Sequence, residues 1–99
     1  MGVDECVKGI IEILPEVEQN FKSGKYECAE DLLKGALFGG KYIMFRDRIA
    51  SEVHSGGLFA TCIDQFCNNL ESRNYGLARA QFEMLKTVAP QTQLPMRED

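Results

Sequence analysis

The stretches Phe21-Lys-Ser-Gly-Lys-Tyr-Glu-Cys-Ala29 and Leu70-Glu-Ser-Arg-Asn-Tyr-Gly-Leu-Ala78 decide the fold, because they repeat one pattern 49 residues apart. Each has an apolar residue, a four-residue polar turn, a tyrosine and, three positions later, an alanine. A polar turn lets two helices fold back on each other, and an alanine at their contact lets the axes approach closely. The pattern therefore predicts two antiparallel helical hairpins, with Tyr26 and Tyr75 covering their tops.

Apolar residues on both sides of each turn recur at steps of three and four, which is the spacing of one face of an α-helix. The recurrence predicts helices near 3–21, 26–38, 41–53, 58–70 and 75–88. No useful stretch alternates as a strand does, so the predicted fold is all-α, with four to five amphipathic helices as two antiparallel hairpins in a bundle or short solenoid. The predicted core contains Ile10, Leu14, Val17, Leu33, Ile49, Ile63, Phe66, Phe82 and Leu85.

The length of 99 residues leaves room for one core, so residues 1–90 are predicted to form a single domain. Hairpin one covers about 3–38, hairpin two covers about 58–89, and the helix at 41–53 links them. The polar segment 91–99 is predicted to be a disordered tail. Pro15 interrupts backbone hydrogen bonding within the first apolar stripe, which leaves open whether that helix is kinked or split in two.

Both turns resemble the helical hairpins of the tetratricopeptide family, in which a turn is followed by Tyr and then by a small residue. The matching residues are Ser-Gly-Lys-Tyr-x-x-Ala at 23–29 and Ser-Arg-Asn-Tyr-x-x-Ala at 72–78. The period of 49 residues is longer than that of the family, and its Trp-x-x-Leu-Gly signature is absent. The resemblance implies a solenoid, but a solenoid usually needs about three repeats. Two hairpins would close into a bundle or bury their open face against a partner or a second copy.

A second, local resemblance concerns Leu-Glu-Ser-Arg-Asn-Tyr-Gly at 70–76, which follows a predicted helix after Gly56-Gly57. This segment is similar to the closing helical domain shared by the outer-coat protein of COPII vesicles and the steroid receptor RNA activator protein. That domain is a small helical bundle with an Arg-Asn/Asp-Tyr turn before its last helices. The family usually continues into another helix and a Lys-rich segment, where this sequence has the short polar tail.

The charge balance argues against nucleic acid as a partner, because 15 acidic residues against 11 basic ones give a net charge of -4. No apolar run approaches the ~20 residues that span a bilayer. The opening acids Asp4 and Glu5 are unlike the basic start of a signal peptide. We therefore expect a soluble, cytoplasmic protein that does not bind a membrane.

RNA binding stays open as an alternative, since Lys41, Arg46 and Arg48 lie beside the aromatic residues Tyr42 and Phe45. In the favoured interpretation the aromatic residues point inward, and the bases face water or the acidic first helix.

The residues that could carry chemistry are few. The four cysteines, Cys6, Cys28, Cys62 and Cys67, form no C-x-x-C pair and are predicted to be reduced, small core residues. The lone histidine, His54, lies in a His-Ser-Gly-Gly loop. A small enzyme that pairs Cys62 or Cys67 with His54 is the alternative from a different functional class. No metal-ligand spacing or phosphate loop is present, so neither a metal nor a cofactor is predicted.

The preferred hypothesis is a non-enzymatic adaptor or scaffold domain that binds a protein partner or a second copy, as a possible homodimer, through an apolar helical face. Several apolar residues lie outside the core stripes, and methionine-rich surfaces suit adaptable binding. The candidate partner-binding residues are Tyr42, Ile43, Met44, Arg46, Leu58 and Met84.

Overall fold

Five α-helices make up most of the chain that the computed structural model describes, which is residues 2–39 and 42–93. They are α1 (Val3–Lys22), α2 (Tyr26–Gly39), α3 (Tyr42–Glu52), α4 (Gly56–Glu71) and α5 (Tyr75–Val88), and a short 3-10 helix follows over Ala89–Gln93. No strand occurs in these described residues, so the all-α prediction is confirmed. Lys41 and the tail residues 94–99 lie outside the described residues.

The observed helix boundaries refine the predicted ones. α1 is one continuous helix through Pro15, so the first helix is not split. α4 begins at Gly56, two residues before the predicted start, because the Phe59 N–H donates to the carbonyl of Ser55 at 3.0 Å and forms the first helical turn there. Residues 91–93, predicted as part of a disordered tail, complete the 3-10 helix. The buried Thr92 hydroxyl holds that helix by donating to the Ala89 carbonyl at 2.6 Å.

The two hairpin turns have the same backbone geometry. The N–H donors and carbonyl acceptors are Ser23–Gln19, Gly24–Phe21 and Lys25–Asn20 in the first turn, and Ser72–Asn68, Arg73–Leu70 and Asn74–Asn69 in the second. A positive φ occurs at the equivalent positions Gly24 (76°) and Arg73 (59°). Glycine adopts this conformation without steric cost, whereas arginine does not. The sequence repeat is therefore also a repeat of backbone structure.

Equivalent residues of hairpin one (α1–α2) and hairpin two (α4–α5) contact each other. The rings of Tyr26 and Tyr75 stack with centroids 3.8 Å apart and an interplanar angle of 14°. Lys34 on α2 pairs with Glu71 on α4 at 2.6 Å, and their equivalents, Glu83 and Lys22, line one cavity between α5 and α1. Successive solenoid repeats are displaced by about a helix spacing, ~8–10 Å, which keeps equivalent side chains apart. The reciprocal contacts instead indicate a local two-fold relation, which gives a compact bundle.

The core lies between the hairpins. All nine predicted core residues are buried. Ala29 and Ala78, at the crossing of each hairpin, are also buried, in agreement with the close approach predicted from them. A chain of aromatic rings crosses from one hairpin to the other, with centroid distances of 5.1 Å for Phe21–Tyr26, 5.9 Å for Phe21–Phe66 and 5.1 Å for Phe66–Phe82.

A sharp corner between α3 and α4 carries α3 onto the bundle, where it contacts α1, α2 and α4. Ser55 turns the chain with a left-handed φ of 56°. A Cβ on Gly56 would lie 1.8 Å from the Ile49 carbonyl oxygen and 2.7 Å from its carbon. Any side chain at Gly56 would therefore collide with the backbone of α3.

We predict that Gly56→Ala lowers the free energy of unfolding by about 3 kcal/mol or more, because the corner must open to accept the methyl group. Gly57→Ala is the matched control, since its Cβ would lie 3.9 Å from the nearest atom, the Ala50 carbonyl oxygen. It should leave stability unchanged or raise it by up to about 1 kcal/mol through helix propensity. Urea unfolding followed by circular dichroism measures both, and equal effects of the two variants would contradict the close contact.

Candidate protein-interaction surface

A hydrogen-bonded cluster fixes α3 against α4. The buried Tyr42 hydroxyl lies 3.3 Å from the Ala60 carbonyl oxygen and 3.2 Å from Asp64 Oδ1, and it can donate to either. Arg46 donates to Asp64 Oδ2 through Nε at 2.7 Å and approaches it through Nη2 at 2.5 Å. Burial first, and then the Asp64 carboxylate, raise the pKa of the Tyr42 phenol, so it stays a neutral donor.

The predicted partner-binding residues divide into two groups. Ile43 and Met44 are 67% and 72% exposed, and Leu58 and Met84 are exposed on α4 and α5. Tyr42 is only 3% exposed and its ring belongs to the core, as expected for an inward-facing aromatic residue of this helix, so it is not part of the exposed surface. Arg46 is half exposed, but its guanidinium is held by Asp64.

Leu77, on α5, is a fifth exposed large apolar residue that the sequence analysis missed. It lies seven positions before Met84 and outside the core stripe of Ala78, Phe82 and Leu85. This helical spacing was the available signal.

A cavity of about 340 Å³ adjoins Ile43, one of the two exposed apolar residues on α3. Its apolar lining includes Leu37, Tyr42, Ile43 and Cys67, and its charged rim consists of Lys34, Arg46, Asp64 and Glu71. The rim charges are paired across it, Lys34 with Glu71 and Arg46 with Asp64. An apolar depression with a charged, already paired rim suits a protein side chain better than a free ion.

A second groove, of about 280 Å³, lies between α1 and α5. Its lining is mainly apolar, with Ile11, Leu14, Pro15, Phe82, Ala89 and Pro90, and the ion pair of Glu18 and Lys86 closes one side. The Lys86 ammonium, by its hydrogen bond, lowers the pKa of the Glu18 carboxyl. A shift of 49 residues takes α1 to α4 and α5 to α2, so that Leu14 corresponds to Ile63 and Phe82 corresponds to Leu33. This groove is therefore the equivalent of the one between α4 and α2, which α3 covers.

The four cysteines differ in burial and in pKa. All four are free thiols, but Cys28 is exposed on α2, so the prediction that every cysteine is a core residue is wrong for this position. Burial raises the pKa of Cys6 and Cys62, and burial followed by the charges of Asp64 and Glu71 raises the pKa of Cys67 to about 12. A nucleophilic cysteine needs a lowered pKa.

His54 lies away from both candidate thiols along the chain's path. It precedes α4, whereas Cys62 and Cys67 lie six and eleven residues beyond Gly56, which is roughly 9 and 16 Å along the helix. Neither the Cys62 thiol nor the Cys67 thiol therefore lies in the first turn of α4, which is the turn that follows His54.

The two arginines considered for RNA binding are engaged within the chain. Arg46 pairs with Asp64, and Arg48 pairs with Glu52 at 2.7 Å on its own helix. The bases of α3 therefore pair with α4 and with α3 itself, rather than with the acidic first helix. A phosphate would compete with a carboxylate for each guanidinium. The third basic residue, Lys41, lies outside the described residues.

Two further properties bear on the kind of site. Within residues 2–39 and 42–93, no group of three or more His, Cys, Asp and Glu side chains is arranged to hold a metal ion. None of the helices in the described part of the chain is both long and apolar enough to cross a membrane.

Comparison with protein-family models, with curated proteins and with solved structures finds no match to this chain. The tetratricopeptide and vesicle-coat resemblances stay predictions.

We predict that Asp64→Ala lowers the free energy of unfolding by about 1–2 kcal/mol, because the buried Tyr42 hydroxyl loses one acceptor and Arg46 loses its partner. Asp47→Ala is the control, since Asp47 is fully exposed and lies 4.0 Å from the same arginine. Its effect should stay within about 0.5 kcal/mol. Chemical denaturation measures the difference, and equal effects would show that Asp64 does not hold α3.

We also predict that one thiol, that of Cys28, reacts rapidly with a disulfide reagent near neutral pH in the native protein. Cys6, Cys62 and Cys67 should react only on unfolding, because they are buried or hold a raised pKa. Mass spectrometry of the labelled peptides identifies the site. Rapid labelling of Cys62 or Cys67 would instead favour the enzyme hypothesis, and fewer than four thiols after unfolding without reductant would contradict the reduced state.

Proposed function

We propose that this domain is a non-enzymatic protein-interaction module, an adaptor or scaffold, whose partner docks on α3. The observation that carries the proposal is the exposed pair Ile43 and Met44, the two most exposed large apolar side chains in the described residues. They project from a helix whose other side buries Tyr42 and Ile49. An exposed apolar pair on a rigidly held helix is typical of an interface anchor.

The surroundings of the pair support the same proposal. Ile43 lines the cavity beside α3, so an apolar side chain of a partner that enters the cavity would also contact Ile43. The paired charges on the rim leave no unmatched charge to be buried by that contact. The raised pKa values of Cys62 and Cys67 and the carboxylate-bound arginines favour this function over the enzyme and RNA alternatives. Four free thiols fit a reducing compartment, and we propose the cytoplasm.

The test is affinity capture from the native source with three forms of the protein. The double variant Ile43→Glu and Met44→Glu removes the α3 pair, and the double variant Leu77→Glu and Met84→Glu is the control with the same substitutions on α5. We expect at least one protein that binds the natural form and the control but is retained about tenfold less by the α3 variant. If all three forms retain the same proteins equally, α3 is not an interaction surface.

A further inference from the structure

We propose that the outer face of hairpin two binds a second copy of this chain and forms a two-fold dimer. The outer face comprises six exposed positions on the side of α4 and α5 that points away from hairpin one. These are Leu58, Thr61, Gln65, Leu77, Ala80 and Met84. The proposal goes beyond the proposed function, because it uses a surface separate from α3 and names its partner.

The six positions form two adjacent stripes. Residues 58, 61 and 65 follow the spacing i, i+3, i+7 on α4, and residues 77, 80 and 84 follow it on α5, so each set shares one helix face. Other sides of these helices are occupied. Asp64 holds α3, and Lys86 pairs with Glu18 on α1. Both stripes therefore lie on the remaining, outward side of the hairpin.

The outer face of hairpin two carries no charge. Three of its six residues are large and apolar, with Leu58, Leu77 and Met84 exposed by 46%, 53% and 47%. The other three, Thr61, Gln65 and Ala80, are small or neutral. Charges on hairpin two lie at other positions, such as Asp64, Glu71, Arg79, Glu83 and Lys86. An uncharged patch on a chain with 26% charged residues is a departure from its general composition.

Hairpin one provides an internal comparison for this face. Its equivalent positions, 49 residues earlier, are also all exposed, and they are Gly9, Glu12, Glu16, Cys28, Asp31 and Gly35. Three acids stand where hairpin two has Thr61, Gln65 and Ala80, and three small residues stand where it has its large apolar ones. Because both hairpins have the same fold and the same exposure here, folding does not account for the apolar character of hairpin two. Binding does.

The charge distribution favours a second copy as the occupant. In a two-fold contact the same patch meets itself, so a face without charges meets no repulsion from its own copy. A charged partner surface would lose its hydration there without finding opposite charges. The outer face of hairpin one, with its three acids, would point outward on both sides of such a dimer. Repulsion between those acidic faces opposes the addition of further copies, so assembly stops at two.

The size of the face is sufficient for a weak dimer. α4 has 16 residues and α5 has 14, which correspond to lengths of roughly 24 and 21 Å. Two packed helices are about 20 Å wide, so the face covers roughly 450 Å² on each copy. The two copies together bury about 900 Å², close to the ~1,000 Å² lower limit of specific interfaces. We therefore expect a concentration-dependent dimer with a dissociation constant in the micromolar range, on the order of 1–100 μM.

Sedimentation velocity of the purified chain from about 1 to about 500 μM tests the proposal. We expect a monomer–dimer equilibrium that is weakened at least tenfold by the double variant Leu77→Glu and Met84→Glu. The control double variant Ile43→Glu and Met44→Glu places the same charges on α3 and should dimerise normally. Circular dichroism confirms that both variants fold, as expected for substitutions at exposed positions.

A mixing experiment tests whether the face contacts itself. The Leu77→Glu, Met84→Glu form and a Leu77→Lys, Met84→Lys form should each be monomeric alone and should form a heterodimer when mixed. The proposal is overturned if the natural chain stays monomeric, if it forms assemblies larger than two, if the acidic variant dimerises as the natural chain does, or if the mixture stays monomeric. A monomeric chain with α3-dependent capture intact would overturn the dimer and leave the proposed function standing.

Discussion

The stacked rings of Tyr26 and Tyr75 join the two hairpins at equivalent positions, and the remaining geometry depends on this contact. Each ring follows its turn directly, and Phe21 continues the aromatic contacts from Tyr26 into the core at Phe66. Aromatic pairs of this kind contribute about 0.5–1.5 kcal/mol beyond the burial of their area. Their greater effect here is geometric. When equivalent residues meet, the two hairpins are related by a two-fold rotation. The same face of each hairpin therefore packs against the other hairpin, and the opposite faces of the two hairpins point outward in opposite directions.

α3 breaks this symmetry, and the sequence differences between the halves follow from it. The repeat places Pro15 at the position of Asp64 and Glu18 at the position of Cys67. On the α4 side, Asp64 accepts hydrogen bonds that hold α3, whereas Pro15 on the α1 side has an apolar ring and offers no such acceptor. The apolar groove between α1 and α5 is lined instead by residues of the 3-10 helix. The two equivalent grooves thus have different surfaces, because α3 covers the one between α2 and α4 and leaves the one between α1 and α5 uncovered.

The sequence predicted the helices and the core well, because burial imposes a periodic pattern that a single chain displays. It predicted the hairpins from the repeated turn, whose residues act locally. It predicted that the Tyr42 ring points inward, but not that the Tyr42 hydroxyl contacts Asp64, 22 residues away, since only the tertiary position of α3 brings them together. Cys28 was assigned to the core on its apolar character, but the inward stripe of α2 passes through Ala29 and Leu33 instead. The pairing of Arg46 with α4 rather than α1 likewise depends on the corner at Gly56, where backbone contact decides the path.

The positions of the exposed apolar residues are what connects this fold to the proposed interactions. A helix that packs on a bundle needs one apolar side, and α3 meets that need with Tyr42 and Ile49. Ile43 and Met44 lie mostly outside that packing, and their exposure to water has a cost in solubility. Leu77 and Met84 likewise lie outside the packing of α5, whose buried residues are Ala78, Phe82, Leu85 and Val88. Because Gly35 and Cys28 occupy the equivalent sites of α2 with no loss of the hairpin fold, large apolar side chains are not a structural requirement there. The two exposed pairs lie on separate helices, so a chain could bind its own copy through α5 while α3 stays free for a different protein.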